Sequence, residues 1–390
     1  MKKRILPLLL VALLCISLFT GCQSADIKTH SEDSEDVPPV EEIPAAVMYD
    51  YRPVFETMAP ETVLMTINGL DVTWAEYIYW THNNMGYLGH IDDWDAICAY
   101  DPSVTNREFI MDGAEQVLTI YHAVEAKAME LGVELSEEDL AEIDAAWQSD
   151  AEYNGGEATF IELLHEQAMN KELFYSFSKV NALFYILQDV IYGEQGAELS
   201  DEDIFVKAEE LGYMRAKHIL IATTDETGQP LAEDVKAEKL ALANDLIAQL
   251  RAEASPETLE AKMDEFITTY SEDYGGLSYV DGYTFLPGRM VPEFESAVLA
   301  AADYEVTEAV ESTYGYHIIV RLPLKRDAIV EYASDGTVNT LAYLIAQNLY
   351  SAAVDNWITD ANIKYTTAFE SLDIAKAYSS AVVIEPSTAE

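Results

Sequence analysis

Two of the seven histidines in this chain lie inside apolar runs that are typical of buried β-strands. His218 lies in the segment MRAKHILIATT, and His317 lies in the segment STYGYHIIVRL. An imidazole in such a position can bind a metal ion, act as a general base or pair with another polar group in the core. The sequence around the two histidines indicates which of these roles they have.

A metal site is not predicted, because the histidines are scattered and no cysteine cluster could complete a set of ligands. Of the three cysteines, Cys98 alone would remain after the processing of Cys15 and Cys22 described below. A single cysteine cannot form an internal disulfide, and nothing near Cys98 indicates a nucleophile. No glycine-rich phosphate-binding loop occurs either, so no cofactor is predicted.

Strand and helix patterns alternate in the segment that carries both histidines. An apolar strand at residues 214–224 precedes a turn and the amphipathic helical segment AEDVKAEKLALANDLIAQLRAE. A further helical segment, a glycine-rich stretch and the closing strand with His317 follow. This order predicts a compact α+β unit of about 110 residues.

Four motifs of this unit carry a resemblance to a known family. AKHILI, YSEDYGGL, GRMVPEFESA and YGYHIIV stand in the order and approximate spacing of the parvulin family of peptidyl-prolyl isomerases. The resemblance implies an FKBP-like α+β domain at residues 212–324, with a four-stranded antiparallel sheet and surrounding helices. The plan of the whole chain resembles the extracellular foldase lipoproteins of the PrsA/SurA type.

The resemblance implies a pocket for the proline ring. Met290 and Phe294 of the segment RMVPEF would line it, and Leu277 would form a third wall. The alternative is plain core packing, because two apolar residues spaced i, i+4 at a helix start face the same side of the helix.

The resemblance also implies a polar wall beside the rotating amide. His218 and His317 match paired histidines on adjacent strands beneath the pocket, Asp273 faces the amide, and Ser312 supplies a hydroxyl to the same network. A purely structural role remains open for each: the histidines would satisfy one another's ring nitrogens, and Asp273 would be a turn residue.

These residue types suit the chemistry of prolyl isomerisation. Amide resonance sets a barrier of about 18–20 kcal/mol to rotation of a peptide bond. No bond has to break, so a catalyst can work by binding the twisted amide better than either planar isomer. Each step of about 1.4 kcal/mol in differential binding gives about tenfold in rate.

Two features depart from the family pattern. The family's GGDLG is GGLS in this chain, and counting back from Met290 without a gap places Gly282 and Tyr283 at the family's Leu-Gly step, which would remove the role of Leu277. The loop after the first strand carries Asp225 and Glu226 and no cation, so phosphoserine-proline recognition is not predicted.

Helical patterns flank the domain on both sides. Residues 60–211 read as a helical chaperone-like module that starts with a short strand, an Asn68-Gly69 turn and a helix capped by Thr73. Residues 325–376 read as a C-terminal helix followed by the strand-like IKYT, and the resemblance implies that this part returns to pack on the helical module. Residues 377–390 are predicted to be a disordered tail.

The chain begins with a pattern typical of export. Residues 1–21 combine a basic start with an apolar run that is shorter than the roughly 20 residues of a membrane-spanning helix, which predicts a signal peptide. The segment LFTGC resembles a bacterial lipobox, so lipidation of Cys22 and attachment to the outer face of a bacterial cell membrane are predicted. Residues 22–59 are acidic and rich in proline, which predicts a flexible tether.

The charge balance limits the classes of molecule that the protein is expected to bind. The 22 Lys and Arg against 70 Asp and Glu give a formal net charge of −48, which excludes nucleic acid as a partner because phosphate binding relies on cationic side chains. The leading hypothesis is a membrane-anchored foldase that isomerises X-Pro bonds in unfolded exported polypeptides. The alternative is an inactive parvulin-fold holdase, and the sequence leaves open whether the protein forms a homodimer.

Overall fold

The computed structural model describes residues 48–275, 279, 281–334 and 336–384. Its helices α1 to α13 are Arg52–Phe55, Trp74–Leu88, Asn106–Leu131, Glu137–Tyr153, Glu157–Glu166, Lys171–Tyr192, Asp201–Leu211, Glu233–Arg251, Pro256–Tyr270, Pro292–Ala300, Leu341–Thr359, Thr367–Glu370 and Ile374–Tyr378. Its strands β1 to β11 are Met48–Asp50, Val63–Ile67, Leu70–Thr73, Met214–Ala222, Tyr283–Phe285, Val310–Glu311, Gly315–Leu322, Ile329–Tyr332, Val338–Thr340, Ile363–Tyr365 and Val382–Ile384.

The chain divides into two compact units. The described residues up to Leu187 and those from Ser351 onward form one unit, called the terminal unit below. Gln188–Tyr350 form the second, called the inserted unit because its sequence interrupts that of the first. The inserted unit therefore extends beyond the predicted domain of residues 212–324 at both ends, since α7 and the first half of α11 belong to it.

A shared core explains why the inserted unit includes these two helical segments. Ile204 and Ala208 of α7 and Leu341 and Ile345 of α11 are buried in one hydrophobic cluster. Local helix patterns alone could not show that two helices far apart in sequence bury their apolar faces against each other. The hairpin of β8 and β9 precedes α11, so the predicted C-terminal helix begins at Leu341 and the segment before it is not helical.

The terminal unit begins its sheet with the predicted short strand, β2, and with a second strand, β3, that the sequence did not predict. β2 and β3 pair antiparallel across Asn68 and Gly69, which have φ values of 54° and 87°. Thr73 caps α2: its backbone amide donates to Glu76 Oε2 at 2.8 Å, and its hydroxyl oxygen accepts from the Glu76 amide at 3.4 Å. The strand-like IKYT forms β10, which pairs with β2 and completes a three-stranded sheet in the order β10-β2-β3.

The helices of the terminal unit follow the sequence signals closely. α3 ends at Gly132 in the left-handed conformation, with φ at 68°, and Ser136 and Asp139 form a capping box at the start of α4. Aromatic side chains fill the space between α4, α5 and α6, where Trp147 lies 5.0 Å from Phe160 and 5.1 Å from Phe174 between ring centroids. Burial of such rings is the main favourable contribution to the packing of these helices.

Two predictions for the chain ends are wrong within the described residues. Residues 48–59 were expected to belong to the flexible tether, and residues 377–384 to the disordered tail. Instead, β1 and β11 pair antiparallel, with Tyr49 opposite Val383. Val54 is fully buried in α1, and Tyr378 is 2% exposed. Residues 22–47 and 385–390 of these segments lie outside the described residues.

The predicted four-stranded antiparallel sheet is confirmed in the inserted unit, with the strand order β5-β4-β7-β6. β4 and β7 pair along eight consecutive residues, from Arg215 opposite Leu322 to Ala222 opposite Gly315. Alternation of side chains gives the sheet two apolar faces. The α+β fold class that the sequence predicts is therefore confirmed.

Each face of this sheet has its own helical cover. On one face, Ile219 and Ile318 pack in a buried cluster with Leu246 of α8 and Met263 of α9. The other face is smaller and is covered by α10. Its buried residues are Met214, Ala216, Phe285, Phe294, Val298 and Ile319. By alternation, His218 and His317 lie on this second face.

Candidate active site

The pairing of β4 with β7 brings the two predicted histidines together. In the register of the two strands, His218 lies opposite Ile319 and His317 lies opposite Leu220, so the histidines are diagonal neighbours on the same face. Their Nδ1 atoms are 3.2 Å apart, and the ring planes are inclined by 22°. Both imidazoles are largely buried, with 4% of His317 and 9% of the His218 side chain exposed.

Both outer ring nitrogens also have partners, and these are the two other predicted residues. His317 Nε2 lies 2.6 Å from Ser312 Oγ, and His218 Nε2 lies 2.8 Å from Asp273 Oδ2. The sequence therefore located four residues, Ser312, His317, His218 and Asp273, that form one continuous line of hydrogen bonds. This line is called the polar chain below.

Local backbone geometry places Ser312. It follows β6, and its amide donates to the Gly315 carbonyl at 2.9 Å in a tight turn that leads into β7. Gly315 has a φ of 151°, and a Cβ at this position would overlap the Ile221 carbonyl oxygen of β4. Glycine therefore permits the close approach of the two strands that sets Ser312 beside His317.

The carboxylate of Asp273, at one end of the polar chain, determines which atom donates and which accepts in each of its hydrogen bonds. An ionised Asp273 can only accept, so His218 Nε2 donates to it and, with a neutral ring, His218 Nδ1 accepts. His317 Nδ1 must then donate, which leaves His317 Nε2 to accept from the Ser312 hydroxyl. In this order, each hydrogen bond that links the four side chains has one donor and one acceptor.

The environment of His317 favours the neutral form of its imidazole. Burial is the main cause that lowers the pKa of His317, to about 4, and the neighbouring His218 acts in the same direction, while Asp273 opposes the shift. A neutral imidazole keeps one acceptor and one donor nitrogen, as the polar chain requires.

The predicted apolar pocket residues lie against the same histidines. The Phe294 ring meets His218 edge-on at 5.1 Å and His317 at 5.6 Å between centroids. Met290 packs against the same cluster and is partly buried. Glu295 anchors the start of α10 by accepting the amides of Gly288 and Met290 at 3.0 and 2.8 Å. Leu277, the third predicted wall, lies outside the described residues.

Phe294 is only 3% exposed, so much of its ring belongs to the core of this face. Phe294 therefore packs in the core and also lies against the two histidines of the site, so it fits both the core-packing and the pocket interpretation. Met290, at the edge of the cluster, is the more accessible of the two.

Tyr283 belongs to the site although no sequence pattern assigns it a role. The Tyr283 hydroxyl donates to Asp273 Oδ2 at 2.9 Å, and the Tyr283 ring lies 5.6 Å from the His218 ring. Burial, and then the hydrogen bond to Asp273, raises the pKa of Tyr283 far above its ordinary value, so the phenol remains a donor. The ungapped count from Met290 had placed Tyr283 near the pocket without assigning it a role.

A pocket of about 250 Å³ lies beside Asp273, along the edge of β4 that β5 leaves uncovered. His218, Asp273 and Tyr283 line it from the polar chain, and Lys217 and Asp264 line it from the direction of α9. The Lys217 ammonium is buried and paired with Asp264 at 2.7 Å, so the lining carries no unpaired lysine charge. Among the described residues, no group of three or more side chains is arranged to hold a metal ion.

Comparison with known proteins gives the class of this domain. Residues 205–321 match a family model described as a PPIC-type PPIASE domain. This span includes Ser312, His317, His218 and Asp273. Residues 205–321 are therefore similar to the parvulin-type class of peptidyl-prolyl isomerase domains.

The relatives are foldases and chaperones. The Foldase protein PrsA of Halalkalibacterium halodurans is 32% identical over 143 residues, which cover 35% of this chain and 36% of that protein. The Chaperone SurA of Saccharophagus degradans is 26% identical over 238 residues, covering 60% of this chain and 47% of that protein. The Chaperone SurA of Chromohalobacter salexigens is 39% identical over 108 residues, covering 27% and 21%. The chain thus spans less than half the length of these three relatives, to which it is similar.

A solved structure of PrsA from Bacillus subtilis is 21% identical, covers 68% of this chain and 91% of that chain, and gives a TM-score of 0.24. The described part of this chain contains no helix with the length and apolar character needed to cross a membrane.

Proposed function

We propose that this protein is a membrane-anchored extracytoplasmic foldase that catalyses cis-trans isomerisation of X-Pro bonds in unfolded exported polypeptides. The observation that carries the proposal is the polar chain, which runs from Ser312 to Asp273 beneath Phe294 within a parvulin-type domain. Its four members are the residues to which the parvulin motifs assign the site.

The geometry supports a mechanism without covalent chemistry. A planar amide has more charge separation than a twisted one, because twisting removes the resonance between nitrogen and carbonyl. A surface that displaces water from the amide while offering fixed polar groups therefore favours the twisted state. Phe294 and Met290 would supply the apolar part of this surface, and the two histidines with Ser312 and Asp273 the polar part.

The neutral state of His317 has a role in this mechanism. Two charged imidazoles with Nδ1 atoms 3.2 Å apart would repel each other and attract water to the site. A neutral pair presents directed dipoles without net charge. Because these dipoles are held by hydrogen bonds at both ends, they need little reorganisation as the amide rotates.

The isomerase activity is tested with a protease-coupled assay on short peptides that contain an X-Pro bond. The full-length protein should accelerate isomerisation, and Met290→Ala should reduce kcat/KM by about tenfold because the proline ring loses part of its pocket. Leu299→Ala is the matched control, since Leu299 lies on the same helix, α10, and is 69% exposed. No acceleration by the intact protein would contradict the proposal.

The anchor and the location are proposed from the lipobox-like segment alone. Growth with a labelled palmitate analogue should label the wild-type protein and leave Cys22→Ala unlabelled. Fractionation should then find the wild type with the membrane and Cys22→Ala released. Membrane retention of unlabelled Cys22→Ala would instead indicate an uncleaved signal segment.

A second candidate function is an inactive holdase that binds unfolded exported polypeptides. The burial of Phe294 to 3% exposure favours it, because a ring inside the core has little surface left for a proline. Suppression of aggregation of an unfolded protein, unchanged in Met290→Ala and without any isomerase activity, would select this function.

A further inference from the structure

The polar chain can in principle run in two directions. In the order derived above, protons point from Ser312 toward Asp273. In the reverse order, His218 Nδ1 donates to His317 Nδ1, His317 Nε2 donates to Ser312 Oγ, and the Ser312 proton is free to point out of the site. The Tyr314 amide donates to Ser312 Oγ at 3.1 Å in either case. The choice of direction decides which polar atoms face a bound amide.

Asp273 is the group that decides the direction. Its Oδ2 accepts from His218 Nε2 at 2.8 Å, which requires the proton of neutral His218 to sit on Nε2. The reverse order would place the lone pair of Nε2 against the carboxylate oxygen, which is unfavourable. The direction of proton donation therefore depends on the orientation of the Asp273 side chain. This side chain is 23% exposed, so a rotation toward water would break its hydrogen bond with His218.

Tyr283 restrains that orientation. Its hydroxyl donates to the same Oδ2 atom that accepts from His218, at 2.9 Å. Hydrogen bonds to a charged acceptor are stronger than those between neutral groups. The raised pKa of Tyr283 keeps its proton in place across the range in which proteins function.

The backbone around Tyr283 is itself held in place. Tyr283 begins β5 and lies opposite Ala216, while Gly282 before it has a φ of 84° and leaves no room for a Cβ beside the Ala216 carbonyl. The Asp281 carbonyl accepts from buried Arg215 at 2.6 and 3.0 Å, and the Asp281 carboxylate pairs with Lys325 at 2.8 Å. In the ungapped count from Met290, Tyr283 falls on a glycine of the resembled motif, which has no phenol at that position.

We propose that Tyr283 is a positioning residue that fixes the direction of proton donation along the polar chain by holding Asp273 against His218. It acts through Asp273, without needing contact with the substrate. This inference rests on the proposed isomerase function for its kinetic consequence, but the proton positions that it specifies can be observed independently of activity.

The test combines kinetics with nitrogen NMR of the imidazoles in the full-length protein at pH 8, above the ordinary histidine pKa of about 6.5. In the wild type, the spectra should place the protons on His218 Nε2 and His317 Nδ1. Tyr283→Phe keeps the ring and removes the donor, so His218 should become a mixture of tautomers. The value of kcat should fall about fivefold with little change in KM, as for the loss of one hydrogen bond that acts through its neighbour.

Two further variants serve as a control and as an independent test of the same hydrogen bonds. Tyr270→Phe is the matched control, because Tyr270 lies in the same unit, is 39% exposed and should leave both tautomers and kcat unchanged. Asp273→Ala removes the acceptor itself and should shift the His218 tautomer at least as far as Tyr283→Phe does. If Tyr283→Phe does not fold, Asp273→Ala still tests the hydrogen bond between Tyr283 and Asp273, because it removes the acceptor.

The outcomes separate the inference from the proposed function. An active wild type with unchanged tautomers and kcat in Tyr283→Phe overturns the inference and leaves the isomerase intact. A rise in KM alone assigns Tyr283 to substrate contact and also overturns it. An inactive wild type whose His218 tautomer still changes in Tyr283→Phe overturns the isomerase proposal while supporting the role of Tyr283.

Discussion

Each of the two units holds a histidine whose pKa is lowered to about 4, His317 being buried and His82 partly buried, yet the two residues have different surroundings. In the inserted unit, His317 has a hydrogen-bond partner at each ring nitrogen. In the terminal unit, His82 lies between the rings of Tyr51 and Phe55, at 4.9 and 5.1 Å between centroids. Within the described part of the chain, His82 Nδ1 has no hydrogen-bond partner.

The contrast between His317 and His82 shows that a perturbed pKa does not by itself identify a functional site. For both residues the main cause of the shift is desolvation of the charged imidazole. Only at His317 do the neighbours also specify which nitrogen carries the proton. A site therefore has to be recognised from its pattern of donors and acceptors, with the pKa as supporting evidence.

The largest effect that tests this comparison is expected from His317→Phe. The new ring would leave His218 Nδ1 and Ser312 Oγ without their buried partner, which should lower the free energy of unfolding by about 2–4 kcal/mol. Urea unfolding, followed by a signal from the inserted unit, measures the loss. A change as small as that of His82→Phe would show that the polar chain contributes nothing beyond burial.

A smaller effect is expected from acid. A histidine whose folded pKa is below its unfolded value of about 6.5 binds its proton more readily in the unfolded state. Stability should therefore be constant above pH 6.5 and fall as the pH is lowered from 6.5 to 4. For one such group the expected loss is on the order of 1–2 kcal/mol after allowance for partial solvation.

Thermal unfolding between pH 4 and pH 8 measures this dependence. Carboxylates also titrate near the lower limit, so the informative quantity is the difference between the wild type and His82→Phe. The variant should lose less stability between pH 6.5 and 5, where the unfolded imidazole takes up its proton. Parallel curves would show that His82 is solvated in the folded protein.

The smallest effect is expected from His82→Phe at neutral pH. The substitution replaces an imidazole nitrogen that lacks a partner by an apolar edge, in a site already lined by aromatic rings. Stability should change by less than about 1 kcal/mol, in the direction of a gain, because the substitution removes a nitrogen without a hydrogen-bond partner. A large loss at pH 8 would reveal a hydrogen bond to His82 and would weaken the contrast with His317.

The sequence predicted most of the inserted unit because its signals are local. The apolar runs around His218 and His317 indicated two strands, and the ordered parvulin motifs indicated which side chains would meet. Tyr283 could not be found in this way, because its contact with Asp273 depends on the position at which β5 joins β4. The motif offers no counterpart for it.

The chain ends were predicted less well for a related reason. β1 and β11 have three residues each, so their hydrophobic pattern is too short to distinguish a strand from a linker. Their stability comes from pairing with each other and from buried neighbours such as Val54 and Tyr378. Only tertiary contacts between distant parts of the sequence reveal these strands, and composition gave the opposite expectation.

The pairing of β1 with β11, and of β10 with β2, also sets an order of folding for a chain that emerges from its N-terminal end. The inserted unit is continuous in sequence and is complete once Tyr350 has emerged. The terminal unit has most of its helices earlier but must wait for residues 363–384 to close its sheets. Because such long-range pairing is slow to form, the inserted unit is expected to be folded while the terminal unit is still assembling.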